Sequence, residues 1–249
     1  MSIQEKIAFV KNDLKGIDYE KIVGYNNSIG NTSYGSATES ATEASNVFPW
    51  AIFDNFSTVS FSAIRSSASD SDKTLTINYL NQDFEELTTS VTLSAGANAL
   101  PDMYRINSAV LSAPAVGNVT IQGSTPGGNT DVYKIPTGYT TSKHGIFTVP
   151  KGKKYALVSV SIVTPSEDGV GVEVRLRTHG ATNFTGSQGF EVVTGANAAQ
   201  FISTASTDLV APYMLPEGTD LEMRVIKTFT GTAHNQEATC TLHLAKFHR

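Results

Sequence analysis

Apolar and polar residues alternate along most of this chain. Thr74–Leu80 (TLTINYL) is the plainest case, with Leu75, Ile77 and Tyr79 on one side and Thr74, Thr76 and Asn78 on the other. A period of two predicts a half-buried β-strand. The same pattern predicts strands at Thr58–Ile64, Glu86–Leu93, Met103–Leu111 and Asn118–Gln122. In the second half it recurs at Asp131–Ile135, Gly145–Val149, Val170–Thr178, Ser187–Thr194, Gln200–Thr204, Leu209–Leu215, Asp220–Phe229 and Thr239–Phe247. The richest apolar stretch is Lys143–Thr164 (KHGIFTVPKGKKYALVSVSIVT). There Ile146, Phe147 and Val149 lead into Pro150-Lys151-Gly152, and Tyr155, Leu157, Val158, Val160, Ile162 and Val163 lead out. Proline pre-sets φ and glycine permits positive φ, so this stretch predicts a hairpin whose two arms pair.

Between the strands stand turn-forming clusters and no helical crossover. All consecutive pairs can therefore be antiparallel, and the series fits a β-sandwich or jelly roll. Gly123–Thr130 (GSTPGGNT) is the best linker candidate. The expected architecture is all-β. A small antiparallel β domain over 56–125 precedes a jelly-roll-like β-sandwich over 130–249, and an N-terminal helix and extended arm fill 1–55.

The helix is predicted over Ser2–Asp18. Ser2 and Glu5 form a capping box, Ile3, Ile7, Val10 and Leu14 fall on one helical stripe, and Gly16 is a natural stop. Such a helix either covers apolar surface of its own domain or docks on a partner. Tyr19–Phe56 reads as the arm: its polar tract Asn26–Ser45 can bury little. Trp50, the single tryptophan, ends that arm as a core or interdomain anchor, with a sugar-stacking platform as the other use.

Composition narrows the function classes. The chain has 249 residues and a net charge of −5, so nucleic acid is not the expected partner, because phosphate binding needs clustered Lys and Arg. Lys151, Lys153 and Lys154 form the one dense basic stretch, expected as a solvated turn. No apolar run approaches the roughly 20 residues that span a bilayer, and residues 1–18 lack the apolar core of a signal peptide. The expectation is a protein made in a cytosol and not bound to membrane. The single cysteine, Cys240, is expected on a strand and can form neither an intramolecular disulfide nor a structural zinc site.

Catalytic patterns are missing from the sequence. His144, His179, His234, His243 and His248 lack metal-ligand spacing, and no metalloprotease, nucleophile-elbow or phosphate-loop motif occurs. Asp83, Glu85 and Glu86 cluster at a hairpin tip, the wrong place for a glycosidase acid pair. Asp70 and Asp72 without a calcium-binding frame are a weak pair for Ca²⁺. The expectation is a non-enzyme without cofactor or metal. Glu173, Arg175 and Arg177 share one face of a strand, as do Glu222 and Arg224, while Val172, Val174, Leu176 and Leu221, Met223, Val225 face the core. The plain reading is two edge or outer strands with cross-strand ion pairs worth under about 1 kcal/mol each. The sharper reading gives this face to a neighbouring subunit. Candidate partner contacts are thus Ile3, Ile7, Val10, Leu14, Trp50, Arg175 and Arg177.

Several short motifs occur in a fixed order: SSASD (Ser66–Asp70), LxxDFEEL (Leu80–Leu87), TLSAG (Thr92–Gly96), YRINSAVL (Tyr104–Leu111), GNVTI (Gly117–Ile121), GIFTVPKGKKYAL (Gly145–Leu157), EVRLR (Glu173–Arg177) and LPEGTDLEMRV (Leu215–Val225). In that order the chain resembles a group of bacteriophage virion proteins common in marine tailed phages, over about Gly24–Lys227. It departs from them where Ser71-Asp72-Lys73 replaces a Gly-rich insert and where Lys151 stands for a small residue. The resemblance implies a structural part of a phage particle: a capsid decoration or a head or neck accessory, assembled in the host cytoplasm. It would bind other virion proteins through its N-terminal segment and form a homo-oligomer, a trimer by analogy with other virion jelly rolls. It carries over no functional residues. The alternative is a tail or fibre component that binds a host-surface glycan through loop aromatics such as Tyr139, Phe184 or Phe190.

Overall fold

The computed structural model describes residues 17–25, 50–54, 56–141, 145–164, 170–178, 191–198, 203–227 and 239–247. The described part divides into two units, and the division is not tandem. The first strand, β1 (Ile17–Tyr25), belongs with the C-terminal half of the chain. A complete second unit is inserted between β1 and the next strand of the same unit.

The inserted unit opens with a short helix, α1 (Trp50–Asp54). Its strands are β2 (Ser60–Arg65), β3 (Thr74–Leu80), β4 (Glu86–Thr92), β5 (Asn98–Ala99), β6 (Arg105–Leu111), β7 (Val119–Thr125) and β8 (Gly128–Ile135). They form two antiparallel sheets, ordered β5-β2-β7-β8 and β4-β3-β6. The alternation seen in Thr74–Leu80 is realised: Leu75, Ile77, Tyr79 and Leu80 are buried, and the intervening residues are half-exposed. The Tyr133 hydroxyl on β8 accepts a hydrogen bond from Ala109 N on β6 at 2.9 Å, tying one sheet to the other. Trp50 and Phe53 of α1 are buried, and Phe53 stacks on Phe61 at 5.7 Å. The Arg105 guanidinium lies 4.1 Å from the Tyr104 ring and 5.2 Å from the Trp50 ring, and Nη2 bonds Asp54 Oδ1 at 2.8 Å. Trp50 is therefore a core anchor and not a partner contact.

Gly123–Thr130, expected as the linker, is the tip of the β7–β8 hairpin, with Thr125 paired to Gly128. Pro126 and Gly127 fit a tight two-residue connection as readily as a linker, and composition does not separate the two. Gly123 has a packing role as well: a Cβ there would lie 2.5 Å from Ile52 Cγ2 of α1. Asp131–Ile135 thus belongs to the inserted unit, and the division falls after His144.

The remaining strands are β9 (Ile146–Thr148), β10 (Lys154–Thr164), β11 (Val170–Thr178), β12 (Glu191–Ala198), β13 (Ser203–Leu215), β14 (Thr219–Lys227) and β15 (Thr239–Phe247). With β1 they make two four-stranded antiparallel sheets, ordered β1-β15-β10-β13 and β12-β11-β14-β9. Counted within this unit alone, the orders are 1-8-3-6 and 5-4-7-2, which is the jelly-roll topology. Its core joins Phe147, Val174, Leu176 and Leu221 of one sheet to Tyr155, Leu157, Val160, Leu242 and Leu244 of the other. Phe147 meets Tyr155 edge-on at 5.1 Å. Pro212 falls where the β10–β13 register breaks, between Leu157 and Ser159, on an edge strand that can spare a donor.

Two expectations are corrected here. Pro150-Lys151-Gly152 does turn the chain, with Lys153 N on Pro150 O at 3.1 Å and Gly152 at φ 73. Its arms do not pair, however: β9 joins β14, and β10 joins β13 and β15. Val149 N bonds Thr219 O and Gly218 N bonds Val149 O, so β9 is committed to β14 before the turn begins. The turn is a corner between sheets. The expectations of a helix as far as Asp18 and of an arm from Tyr19 also fail over Ile17–Tyr25, which pairs with β15 along its whole length. The helix stripe Ile3, Ile7, Val10 and Leu14, and the tract Asn26–Ser45, lie outside the described residues. Removing residues 1–55 would strip β1 and α1 from the two units, so that segment is not a separable arm.

Candidate functional site

The charged residues of β11 and β14 form the most unusual arrangement in the jelly roll. The two strands are antiparallel neighbours in a register that sets Arg175 against Glu222 and Arg177 against Asp220. Arg175 Nη2 reaches Glu222 Oε2 at 2.6 Å, and Arg177 Nη2 reaches Asp220 Oδ2 at 2.7 Å. Thr148 of β9 donates to Asp220 Oδ1 at 2.6 Å. Alternation along each strand puts this ladder on the face opposite Val174, Leu176 and Leu221, away from the core.

The ion pairs of the plain sequence reading therefore exist, but the setting differs. Both strands are interior to the sheet and not at its edge. Arg175 and Arg177 are 3% and 5% exposed, and Asp220 and Glu222 are at 0%. This polar face is sealed within the chain, so Arg175 and Arg177 are not available to a neighbouring subunit. Two guanidinium groups against two carboxylates balance in charge, which is the condition for keeping such groups out of water. A one-residue slip of β11 against β14 would set these charges against apolar side chains. The ladder thus fixes the register of the two central strands.

A second buried charge sits in the inserted unit. Ser66-Ser67-Ala68-Ser69-Asp70 closes β2 into a single 3-10 turn over Ala68–Asp70, with the Ser67 side chain capping Ser69 N. The turn buries Asp70 completely. Its carboxylate accepts from Lys73 Nζ at 2.7 Å and from the amides of Val116 and Gly117, each at 2.8 Å. Lys73 Nζ also donates to Pro114 O at 2.6 Å. Burial raises the Asp70 pKa, but the Lys73 hydrogen bond, the two amides and the Lys73 charge together hold it below the ordinary carboxylate value. Ser66 Oγ accepts from Asn118 N at 2.7 Å, closing the other end of the contact.

SSASD and GNVTI, distant in sequence, are thus the two halves of one clamp. Sequence reasoning placed both motifs correctly as turn and strand but not their pairing. Gly117 carried the available signal. A Cβ at Gly117 would fall 2.5 Å from Ser66 Oγ and 2.8 Å from Ser67 N, so only glycine lets the two segments meet. Gly117→Ala is expected to destabilise the inserted unit by about 1–2 kcal/mol, as overpacking does. A urea midpoint unchanged from wild type would show that the clamp yields without strain.

The other acidic groups behave as turn residues. Asn81 Oδ1 accepts from Asp83 N and Glu85 N, which organises the β3–β4 turn that carries Phe84 at φ 60. Asp83, Glu85 and Glu86 are exposed there. Asp72 is exposed and at φ 65, while Asp70 is committed to the clamp, so the two do not form a cation site. Among the described residues no three His, Cys, Asp or Glu side chains converge on a metal position, and no helix is long and apolar enough to cross a membrane. Cys240 lies on β15 as expected. Tyr139 is 46% exposed beside Val116 at 53%, held by the Ala115 N to Tyr139 O bond at 2.9 Å. Phe184 and Phe190 lie outside the described residues. No protein-family model matches the chain, and no curated protein does.

Proposed function

We propose that the chain is a non-enzymatic structural protein of a tailed-bacteriophage particle, a capsid decoration or head or neck accessory that packs against other virion proteins and copies of itself. The observation that carries this reading is the 1-8-3-6 and 5-4-7-2 strand order. Jelly rolls serve as capsid and lectin domains alike, and a fold alone does not choose between them. The ordered motifs from SSASD to LPEGTDLEMRV favour the particle. The clamp and the ladder support it, since both use buried charge to fix strand geometry and leave neither carboxylate set open in a cleft.

Immunogold labelling of purified intact particles tests the reading, with antibody raised against the purified chain. Label at a constant position on head or neck is the expected result, and particles without label would overturn it. Tyr139 gives the glycan-binding reading an exposed aromatic side chain. Label confined to tail fibres, together with adsorption of the purified chain to host cells, would replace the first reading with this one.

A further inference from the structure

The strands β4, β5, β6 and β8 border the two sheets of the inserted unit, and three of them are guarded against further pairing. Val110 of β6 bridges Thr141, and Leu111 N donates to Thr140 O at 2.7 Å, so the chain itself caps that edge. β5 is only two residues long. β8 is bulged at Val132 and carries Asp131 and Lys134. Short edges, bulges and charges are the usual guards against pairing with another chain. β4 lacks them. It pairs with β3 along its whole length without a register shift, it has no proline, and its only charge is the terminal Glu86. Glu86, Leu87, Thr88, Ser90 and Thr92 are exposed.

The backbone groups on the open edge of β4 follow from its two ends. Glu85 O accepts from Asn81 N at one end, and Leu93 N donates to Lys73 O at the other. Antiparallel hydrogen bonding alternates along a strand. Leu87, Thr89 and Val91 therefore direct their N–H and C=O groups to β3, while Glu86, Thr88, Ser90 and Thr92 turn theirs outward. We propose that β4 is an interface strand whose partner is β4 of a second copy, running antiparallel about a two-fold axis at Thr89. In that register Thr88 faces the second copy's Ser90 and Glu86 faces its Thr92, so every outward N–H and C=O is matched. Moving the axis to Thr88 or Ser90 leaves outward groups unmatched at one end. The side chains agree with the backbone. Leu87, 40% exposed, meets the second copy's Val91 on the side of the sheet that Ile77 occupies. Hydroxyl meets hydroxyl on the other side, and the two Glu86 carboxylates lie at opposite ends of the ribbon. A two-fold pairing of this kind closes on itself as a dimer, so the open edge does not template a fibre. This names the contact behind the self-association proposed above and rests on that part of it alone. It needs no other virion protein, so it can fail while the particle reading stands.

Disulfide trapping on the full chain, in a Cys240→Ala background, tests this. Residues facing each other in a non-hydrogen-bonded antiparallel pair stand about 4.5 Å apart at Cα, within the range that a disulfide spans. Thr89→Cys, on the axis, should become a covalent dimer on mild oxidation. Leu87→Cys alone should not, but its mixture with Val91→Cys should, because those two positions face each other. Thr88→Lys combined with Ser90→Lys sets lysine against lysine across the pair. It should leave the chain folded and shift its sedimentation from dimer to monomer. A wild-type chain that sediments as a monomer would overturn the proposal. So would Thr89→Cys chains that stay single on oxidation, Leu87→Cys chains that cross-link by themselves, or a dimer indifferent to the paired lysines.

Discussion

Arg175→Met is expected to destabilise the jelly-roll unit by about 3–5 kcal/mol, while Arg175→Met combined with Glu222→Leu stays near wild type or above it. The asymmetry comes from burial. Glu222 is at 0% exposure and takes the Arg175 guanidinium at 2.6 Å. Removing the cation alone strands a carboxylate where water does not reach it. Removing both charges leaves apolar side chains of similar volume on a face already sealed. The same pair on an open strand face would be worth about 0.2–1 kcal/mol, and both single variants would then be nearly silent. Urea unfolding of the two singles and the double gives a coupling energy directly. A single-variant loss under about 1 kcal/mol would mean that solvent reaches the ladder. Arg177→Ala probes the neighbouring rung, where Arg177 and Thr148 both hold Asp220.

The ladder also shows what alternation can and cannot reveal. Arg175, Arg177, Glu222 and their apolar neighbours Val174, Leu176 and Leu221 were separable by strand period alone, and the structure keeps that separation. Which strands pair was partly legible, since opposite charges at matching spacing on β11 and β14 suggested neighbours. Whether their polar face meets water was not legible, because a period of two describes a strand and not what lies over it. The connection at Pro150-Lys151-Gly152 failed for a related reason. Its turn chemistry is local and correct, but a hairpin and a corner share it. The choice was made by Val149 and Thr219, residues about 70 apart in sequence. The N-terminal strand was hidden for a third reason. IDYEKIVGY alternates poorly, and its partner β15 lies at the far end of the chain. Loop-spaced pairings of that length leave no trace in a window of ten residues. The insertion of one unit inside the other followed unseen.

Asp70→Ala is expected to destabilise the inserted unit by about 3 kcal/mol at neutral pH, and the deficit should shrink as the solution is acidified. The carboxylate accepts three hydrogen bonds, one from a cation, and such bonds contribute roughly 1.5–3 kcal/mol each before the exposed Val116 and the half-buried Lys73 recover water. The sign with pH follows from the depressed folded-state pKa. An unfolded aspartate titrates near 3.9. Above that value both states are ionised and the clamp contributes in full. As pH falls through the unfolded value and then the lower folded one, protons favour the unfolded chain and the contribution drains away. Wild type should therefore lose stability toward pH 3, and Asp70→Ala should lose less over the same interval. Urea titrations at pH 7, 5 and 3 measure both curves. A gap between wild type and variant that stays constant across the three would mean that the Asp70 carboxyl is not what holds GNVTI to SSASD. Asp70→Asn refines the result: it keeps the volume and one acceptor oxygen but loses the ionic bond to Lys73, so it should fall between the two and show little of the acid-linked change.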